Sequence, residues 1–147
     1  MIDELQPQAV IFSDGGPGCR WVGNENGFAG ATNWSFLRAG EVYPGYPKYR
    51  ELQYGHADGN QWVAAECDVS IRPGWFYHPE EDDKVKTVDQ LTDLYYRSVG
   101  HNATLLLNFP VDRNGLIHPT DSLNAVSFHL RVQKELADKS EAKAVLG

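Results

Sequence analysis

Alternating strand-like and helix-like segments predict an α/β fold with a parallel sheet. Apolar runs at 9–13, 66–71 and 104–109 have the character of strands, and amphipathic patterns follow the second and the third. Polar, glycine-rich loops come after the strands, which is where barrel enzymes of this class place their sites. Three strands and two or three helices cannot close a barrel. The sequence therefore indicates either a small open sheet or part of something larger.

Composition excludes several classes of protein. The chain has 147 residues, of which 41% are hydrophobic, so an ordinary globular core is expected rather than disorder. The net charge of −7 argues against nucleic acid or an anionic membrane as a partner. No apolar run approaches the roughly 18 residues of a membrane span, and the first residues lack the pattern of a secretory signal. Cys19 and Cys67 cannot define a disulfide framework.

The first predicted elements are short. Proline ends the first, and a glycine-rich stretch that permits unusual backbone angles ends the second. Residues 3–6 are typical of the end of a helix that Pro7 stops, and 9–13 is predicted to be a buried strand. From the Asp-Gly-Gly-Pro-Gly stretch at 14–18 to about residue 64, periodicity fails and aromatic residues are frequent. A loop of this length inside a compact domain is either disordered or functional, and its aromatic content favours a function.

Order resumes at 66–71, where apolar and polar residues alternate as in a strand. A loop at 72–78 follows, and the acidic residues at 80–83 are interpreted as a solvated stretch. Thr87 and Gln90 match a capping box, and Gly100 is predicted to end this helix at the C′ position. The apolar side of the helix is predicted to comprise Val88, Leu91, Tyr95 and Val99.

The last strand and helix complete the alternation. The continuous run at 104–109 is typical of a parallel strand covered on both faces. Thr120 or Asp121 is predicted to cap a final helix, and residues from 137 onward are expected to fray. The apolar stripe of this helix is predicted to comprise Leu123, Val126 and Leu130, with Leu136 continuing that side.

Several kinds of site are not supported. The glycines at 15–18 lack both the lysine of a phosphate-binding loop and the spacing of a dinucleotide motif. The five histidines and two cysteines have no metal-binding spacing, although a calcium site of dispersed loop carboxylates stays open. There is no Gly-x-Ser-x-Gly elbow for a nucleophilic serine. No metal and no cofactor are expected.

Carboxylates near aromatic residues are the remaining candidates. Glu25 follows Arg20 and Trp21 in one loop, and an aromatic wall can desolvate a carboxyl group so that it serves as a general acid. The alternative is a surface ion pair between Glu25 and Arg20. Glu66 and Asp68 are interpreted as bonded structural carboxylates. Trp75 is suited either to stacking on a sugar face or to packing its own loop.

Eight stretches of the sequence carry a resemblance to one protein family. The longest is Ala-Glu-Cys-Asp-Val-Ser-Ile-Arg-Pro-Gly-Trp-Phe-Tyr-His at 65–78. The others are Glu-Leu-Gln-Pro at 4–7, Ile-Phe-Ser-Asp-Gly-Gly-Pro at 11–17, Arg-Trp-Val-Gly-Asn-Glu at 20–25, Ser-Val-Gly-His-Asn at 98–102 and Leu-Leu-Leu-Asn at 105–108. Asp-Arg at 112–113 and Gly-Leu-Ile-His at 115–118 are also among them. Together the eight stretches resemble bacterial α-L-fucosidases of glycoside hydrolase family 29, and the resemblance extends over about residues 4–132.

The resemblance implies a retaining exo-glycosidase that acts on terminal α-linked L-fucose. It assigns Glu25 as the general acid/base, with Trp21, Asn24 and Arg20 shaping its surroundings and Trp75 bordering the substrate. The family's nucleophilic aspartate lies in a Trp-Phe-Asp-Gly type of motif, which this chain does not contain. Asp14 follows a different strand of the family pattern and is not expected to replace it.

The resemblance further implies that residues 1–138 form the C-terminal part of a (β/α)8-like barrel, incomplete as a single chain, and that 139–147 are a frayed tail. We expect a fucosylated glycan as substrate of the full-length enzyme, in a periplasmic or secreted location, and no turnover by this chain alone. We expect its strand edges to self-associate. Two alternatives are a non-catalytic carbohydrate-binding or assembly module and a small independent doubly wound domain.

Overall fold

The chain folds as α/β with a parallel sheet, as the alternation of its segments predicts. The computed structural model describes residues 1–137, so the predicted tail at 139–147 lies outside the described residues. The strands are β1 (Phe12–Ser13), β2 (Cys19–Trp21), β3 (Phe36–Leu37), β4 (Gln61–Trp62), β5 (Ala64–Ser70) and β6 (Ala103–Asn108). The α-helices are α1 (Ile2–Leu5), α2 (Val88–Ser98) and α3 (Pro119–Glu135), and short 3-10 helices lie at Tyr49–Gln53, Pro79–Glu81 and Val99–His101.

Four parallel strands form the main sheet in the order β1-β2-β5-β6. β5 and β6 pair over six positions, from Ala65 opposite Ala103 to Ser70 opposite Asn108. β3 and β4 form a separate antiparallel pair. Because the four strands are parallel, the loops that follow β2, β5 and β6 all lie at the same end of the sheet, where the strands have their carboxyl ends.

The two faces of the sheet differ in what covers them. Side chains alternate between faces along a strand. In β5, Cys67 and Val69 are buried, and Val69 belongs to an apolar cluster with residues of α2 that Phe128 of α3 also contacts. On the opposite face lie the half-buried Glu66 and Asp68, with the half-exposed Leu106 of β6 beside them. Helices therefore cover one face, which corrects the prediction that 104–109 is covered on both.

The first strand is also less buried than its composition predicts. β1 comprises only two residues of the run at 9–13, and Val10 is 75% exposed and Phe12 is 47% exposed. β1 is an edge strand, and no described layer covers the side of the sheet that Phe12 faces. The prediction of a buried strand is wrong here because apolarity does not reveal an edge position.

The α2 helix begins as predicted and ends differently. The Thr87 side chain accepts a hydrogen bond from the backbone N–H of Gln90, and the Gln90 side chain accepts one from the backbone N–H of Thr87, which confirms the capping box. The helix continues into a 3-10 turn, and Asn102, not Gly100, has the left-handed conformation that ends it. Val99 is 40% exposed, whereas the side of α2 that is buried comprises Leu91, Thr92, Leu94 and Ser98.

In α3 the predicted apolar stripe and cap are both wrong. The side chain of His118 is the N-cap, Pro119 occupies the first turn, and Asp121 is buried in an ion pair instead of capping the helix. Leu123, Val126 and Leu130 are 58–65% exposed. Another stripe at helical spacing, comprising Ala125, Phe128 and Val132, lines an apolar cavity with Leu105 and Leu107 of β6.

The long irregular segment after β1 is a structured layer and contains β2, which the sequence pattern did not reveal. It forms its own small core of Leu37, Val42, Tyr46, Leu52 and Val63. Within residues 1–137, no helix combines the length and apolarity that crossing a membrane requires.

Candidate active site

Glu25 and Trp75 are in contact at the carboxyl ends of the strands. Glu25 lies in the loop after β2 and Trp75 in the loop after β5, and these two strands are neighbours. The indole Nε1 of Trp75 donates a hydrogen bond to Oε2 of Glu25 at 2.9 Å. Although the two residues are 50 positions apart in sequence, the parallel register brings them into contact.

A second indole–carboxylate pair lies beside the first. Nε1 of Trp21, at the end of β2, donates to Oδ1 of Asp68 in β5 at 2.8 Å. Each of the two chain segments thus supplies one indole donor and one carboxylate acceptor to the other. We call Trp21, Glu25, Asp68 and Trp75 the indole–carboxylate clasp. It fixes the loop that carries Glu25 against the strand that precedes Trp75.

Among the residues that the structure describes, no cation neutralises the carboxylates around the clasp. Within residues 1–137, no lysine or arginine forms an ion pair with Glu25, Glu66 or Asp68. Burial raises the pKa of Asp68, and the charge of Glu25 raises it further, whereas the Trp21 hydrogen bond opposes the rise. Burial and the charge of Asp68 raise the pKa of Glu66. Both strand carboxyl groups therefore hold protons more tightly than ordinary carboxyl groups.

Electrostatic coupling between Asp68 and Glu25 was not expected from the sequence. Asp68 was interpreted as a structural carboxylate, and its bond to Trp21 fits that role. The effect of Glu25 on its pKa also places it in the same polar site. The sequence contains one indication of this shared site. Glu66 and Asp68 are two residues apart, so both lie on the same face of β5.

Local backbone bonds shape the loop that presents Glu25. The side chain of Asn24 accepts from the backbone N–H of Asn26 at 3.0 Å and donates to the carbonyl of Phe28 at 3.1 Å. Gly23 has φ +77°, and a Cβ there would collide with the carbonyl oxygen of Tyr49. Asn24 is therefore engaged in holding the turn, and the Glu25 side chain that follows it is exposed. The expected desolvation of Glu25 by an aromatic wall is not found among the described residues.

Arg20 does not reach this site. Its side chain is completely buried, and its guanidinium donates to the carbonyls of Leu52 and Val63 and to Oδ1 of Asn33. It forms no ion pair with Glu25, so the alternative of a surface pair does not hold either. Arg20 instead ties the segment between β2 and β5 to the sheet.

Trp21 and Trp75 are half-buried, and the indole N–H of each donates a hydrogen bond to a carboxylate. The ring of Trp21 stacks on Tyr49, with centroids 6.4 Å apart and an angle of 18° between the planes. The loop of Trp75 is fixed by Asn108 at the end of β6, whose side chain donates to the Trp75 carbonyl and to the Ser70 hydroxyl, both at 3.1 Å. Sequence reasoning missed Asn108, although a polar residue ending an apolar strand is the signal that marks it.

A buried ion pair anchors the same loop from below. Arg72 and Asp121 are both completely buried, and two guanidinium nitrogens donate to the two carboxylate oxygens at 2.8 Å each. Arg72 also pairs with Asp82 at 2.9 Å and lies 4.6 Å from the ring centre of Tyr77. Asp82 is therefore bonded, and the interpretation of 80–83 as a purely solvated stretch is wrong at this residue.

Comparison with known proteins identifies the family. No protein-family model matches the chain. It is 49% identical over 126 residues to alpha-L-fucosidase 1 of Arabidopsis thaliana, which covers 82% of this chain and 24% of that protein. A glycoside hydrolase 29 family structure from an unknown rumen bacterium superposes with a TM-score of 0.81 at 47% identity, over 90% of this chain and 24% of that one. Over most of its length the chain matches α-L-fucosidases of glycoside hydrolase family 29.

A further family 29 structure was solved with the sugar itself. The Ruminococcus gnavus family 29 fucosidase E1_10125 in complex with fucose has a TM-score of 0.69 and 33% identity, over 79% of this chain and 23% of that one. The chain therefore spans about a quarter of the length of these relatives. They come from a plant and from bacteria, so membership of family 29 does not specify a bacterial source. Within residues 1–137, no group of three or more His, Cys, Asp or Glu side chains is placed to hold a metal ion.

Proposed function

We propose that this chain supplies the acid/base side of a retaining α-L-fucosidase site, with Glu25 as the proton donor. The observation that carries this proposal is the state of the Glu25 carboxyl group. Trp75 fixes Oε2, while Oε1 has no hydrogen-bond partner within the described residues and the side chain is exposed. A general acid needs such a group, held in one orientation and open to the leaving oxygen.

In this mechanism Glu25 first donates its proton to the departing glycosidic oxygen. It then removes a proton from the water that hydrolyses the glycosyl-enzyme, as the two steps of retaining hydrolysis require. Trp75 orients the carboxyl group through its indole N–H, and Trp21 borders the same edge through its bond to Asp68. Asn24 and Arg20 act indirectly, because the first closes the turn before Glu25 and the second holds the layer behind it.

The nucleophile is proposed to come from outside these 147 residues. Retaining glycosidases place two carboxyl groups about 5–5.5 Å apart, and one of them attacks the anomeric carbon. Asp68 is the carboxylate whose pKa Glu25 affects, but its Oδ1 accepts the indole N–H of Trp21, which engages Asp68 in holding that side chain. We therefore assign Asp68 to the support of Trp21 and expect no fucoside turnover by the isolated chain.

The fold supports a place in a larger barrel. Four parallel strands are half of the eight that a (β/α)8 barrel needs, and helices cover only one face of the sheet. The other face, which carries Trp21, Glu66, Asp68 and Leu106, has the position of a barrel interior. Glu25 and Trp75 then lie at the carboxyl end of the strands, where barrel enzymes carry out their chemistry. The free edges of β1 and β6 are the surfaces through which we expect the isolated chain to self-associate, detectable by light scattering.

A chimeric enzyme tests the role of Glu25. The matching segment of the Arabidopsis relative is replaced by this chain, and turnover of a natural fucosylated oligosaccharide is compared with that of 4-nitrophenyl α-L-fucoside. Glu25→Gln should lower kcat for the oligosaccharide by about 10²–10⁴ and affect the activated leaving group much less, because nitrophenolate leaves without a proton. Added azide should restore turnover by replacing the water that needs a base. The matched control is Glu41→Gln, an exposed glutamate outside the clasp.

Two results would contradict the proposal. One is an equal loss for both leaving groups without azide rescue, which would make Glu25 structural. The other is steady hydrolysis by the isolated chain that Glu25→Gln or Asp68→Asn abolishes, which would place both carboxylates of the reaction in this segment. If the isolated chain instead binds fucose in calorimetry and neither it nor the chimera hydrolyses fucosides, the carbohydrate-binding module becomes the better description.

A further inference from the structure

The side chain of Asn108 joins the ends of two strands to the loop that carries Trp75. Asn108 is the last residue of β6, and its register partner Ser70 is the last residue of β5. The amide nitrogen of Asn108 donates two hydrogen bonds, to the Ser70 hydroxyl and to the Trp75 carbonyl oxygen, both at 3.1 Å. An asparagine amide nitrogen has two hydrogens, so both of its donors are used at once.

Packing does not hold the middle of this loop. A Cβ at Gly74 would meet no atom within 4 Å, and the side chain of Phe76 is 78% exposed. Among the backbone groups of residues 73–77, the Trp75 carbonyl is the one that has a hydrogen-bond partner in the described part of the chain. The position of the loop at Trp75 therefore depends on Asn108.

The other anchors of the loop bind its two ends. The Lys86 ammonium donates to the Arg72 carbonyl at 3.4 Å, and the Arg72 guanidinium donates to the His78 carbonyl at 3.3 Å. If the side chain at 108 lost its donors, both ends of the loop would stay attached while the segment around Trp75 would be released. Asn108 thus holds Trp75 without being needed for the course of the whole loop.

Trp75 in turn determines how Glu25 is held. Its indole Nε1 donates to Oε2 of Glu25 at 2.9 Å, and this is the only hydrogen bond of the Glu25 carboxyl group within residues 1–137. An exposed side chain without such a partner exchanges among its rotamers, so a displaced indole would leave the carboxyl group without a fixed orientation. A general acid has to lie within hydrogen-bond reach of the oxygen that it protonates. Asn108 therefore acts on the reacting group through one indole.

We propose that Asn108 is a positioning residue for proton transfer by Glu25. It holds the Trp75 carbonyl so that the indole N–H stays on Oε2 of Glu25, which leaves Oε1 free for the leaving oxygen. Because Asn108 acts through Trp75 and not on the substrate, its loss should slow the step that needs a proton more than it weakens binding. This inference rests on the proposed role of Glu25.

Nuclear magnetic resonance on the isotope-labelled 147-residue chain tests the link between Asn108 and Trp75. Asn108→Leu keeps approximately the size of the side chain and removes its donors. The indole proton of Trp75 should then exchange with water about tenfold faster, the factor expected for the loss of one hydrogen bond, whereas that of Trp21 should not change. Asn124→Leu is the matched control and should leave both signals unchanged. Asn124 is also half-buried, and its amide donates to the carbonyl of Lys86 at 3.0 Å.

Kinetics of the chimeric enzyme test the link to proton transfer. Asn108→Leu should lower kcat for the fucosylated oligosaccharide about tenfold with little change in KM. It should affect 4-nitrophenyl α-L-fucoside much less, because only the oligosaccharide needs a proton from Glu25. Asn124→Leu should change the turnover of neither substrate. In a Trp75→Phe background, where the indole donor is already lost, Asn108→Leu should cause no further loss.

Three results would overturn the inference. They are an unchanged Trp75 indole signal in Asn108→Leu, an equal loss of kcat for both leaving groups, and a full additional loss in the Trp75→Phe background. If Asn108→Leu does not keep the dispersed signals of a folded chain, the smaller change Asn108→Ser takes its place in all three comparisons. Failure of the proposed function is a separate result, because it would appear as unchanged turnover of the oligosaccharide in Glu25→Gln with Asn108 intact.

Discussion

Arg20 and Arg72 are both completely buried, but Arg72 lies against carboxylates whereas Arg20 lies against neutral acceptors. Arg72 is neutralised by the carboxylates of Asp121 and Asp82 at 2.8–2.9 Å. Arg20 meets only neutral acceptors, namely two backbone carbonyls and the amide oxygen of Asn33. Burial accordingly lowers the pKa of Arg20 to about 10, whereas the hydrogen bonds that Arg72 donates to Asp121 raise the pKa of Arg72.

The comparison shows two ways in which a buried cation positions a loop of the proposed site. Arg72 joins the start of the loop that carries Trp75 to the first turn of α3. Arg20 joins β2, which leads to Glu25, to three separate points of the segment between β2 and β5. In the first case a charge must be matched, and in the second a set of dipoles must be satisfied. Removing the cation should therefore have different consequences.

The largest effect is expected from breaking the charged pair. Asp121→Ala leaves the Arg72 cation without its bidentate partner and should lower the free energy of unfolding by about 3–5 kcal/mol. Urea denaturation followed by tryptophan fluorescence measures this loss. The double variant Arg72→Met with Asp121→Leu replaces both charges by apolar groups and should recover most of it, because the desolvation cost disappears together with the attraction.

Asp93→Asn is the matched control, since Asp93 pairs with Arg97 on the surface of α2 and its loss should cost less than about 0.5 kcal/mol. If the double variant is as unstable as Asp121→Ala, the loss of stability does not come from leaving the Arg72 charge unpaired. The proposed difference between Arg72 and Arg20 would then be wrong.

An intermediate effect is expected at Arg20, whose hydrogen-bond acceptors are neutral. Arg20→Met leaves two carbonyls and one amide without a donor, at about 1–3 kcal/mol for each unsatisfied group, but it also removes a desolvated charge. The two contributions oppose each other, so the net loss should be about 1–3 kcal/mol and smaller than that of Asp121→Ala. The same urea titration measures it. A loss that exceeds the Asp121→Ala value would show that the dipoles around Arg20 stabilise the fold more than the carboxylates around Arg72.

Much of this architecture follows from sequence, because periodicity reports which elements form. The capping box of α2 and the strands β5 and β6 are identified by local pattern, whereas Glu25 is a prediction from the resemblance of its motif. The partners of Arg20 and Arg72 are not predictable in this way. Asn33, Val63 and Asp121 lie 13, 43 and 49 positions from their arginines, and no local pattern encodes contacts at such separations.

Edges and exposed faces are the other failures of prediction. Leu123, Val126 and Leu130 of α3 form a convincing stripe, but Phe128 and its neighbours at the same spacing face β6 instead. A helix with two apolar stripes does not specify which one is covered by this part of the chain. The same ambiguity explains Phe12, since an apolar residue in an edge strand looks identical in sequence to one in a central strand.

A smaller effect concerns the carboxylates that have no cation at all. The pKa values of Glu66 and Asp68 are raised in the folded chain, so between the ordinary pKa of about 4 and the raised value the folded state binds more protons than the unfolded one. Their contribution therefore makes the free energy of unfolding fall as pH rises through this window and level off above it. Groups with lowered pKa values, such as Glu51 and Asp112, contribute the opposite slope.

The contribution of these two carboxylates is isolated by difference. Stability is measured in urea at a series of pH values for the wild type and for Glu66→Gln with Asp68→Asn. The wild type should lose stability relative to the variant as pH rises, because the variant cannot ionise at these positions. If the free energies of unfolding of the wild type and the variant change with pH in parallel, both carboxylates are fully solvated on the open face of the sheet. In that case Asp121 differs from Glu66 and Asp68 only in having an arginine as its partner.

The smallest effect is expected from the indole donors of the clasp, where no charge is created or removed. Trp21→Phe deletes the hydrogen bond to the half-buried Asp68 and should cost about 0.5–1.5 kcal/mol, whereas Trp75→Phe deletes one to the exposed Glu25 and should cost less. Trp21→Phe should also raise the pKa of Asp68 further, because the hydrogen bond that opposes the effect of burial is lost. Carbon-detected NMR titration of the Asp68 carboxyl group measures that shift. An unchanged pKa would show that this hydrogen bond does not influence the protonation of Asp68, so that an indole donor, unlike the arginine of a charged pair, only orients its carboxylate.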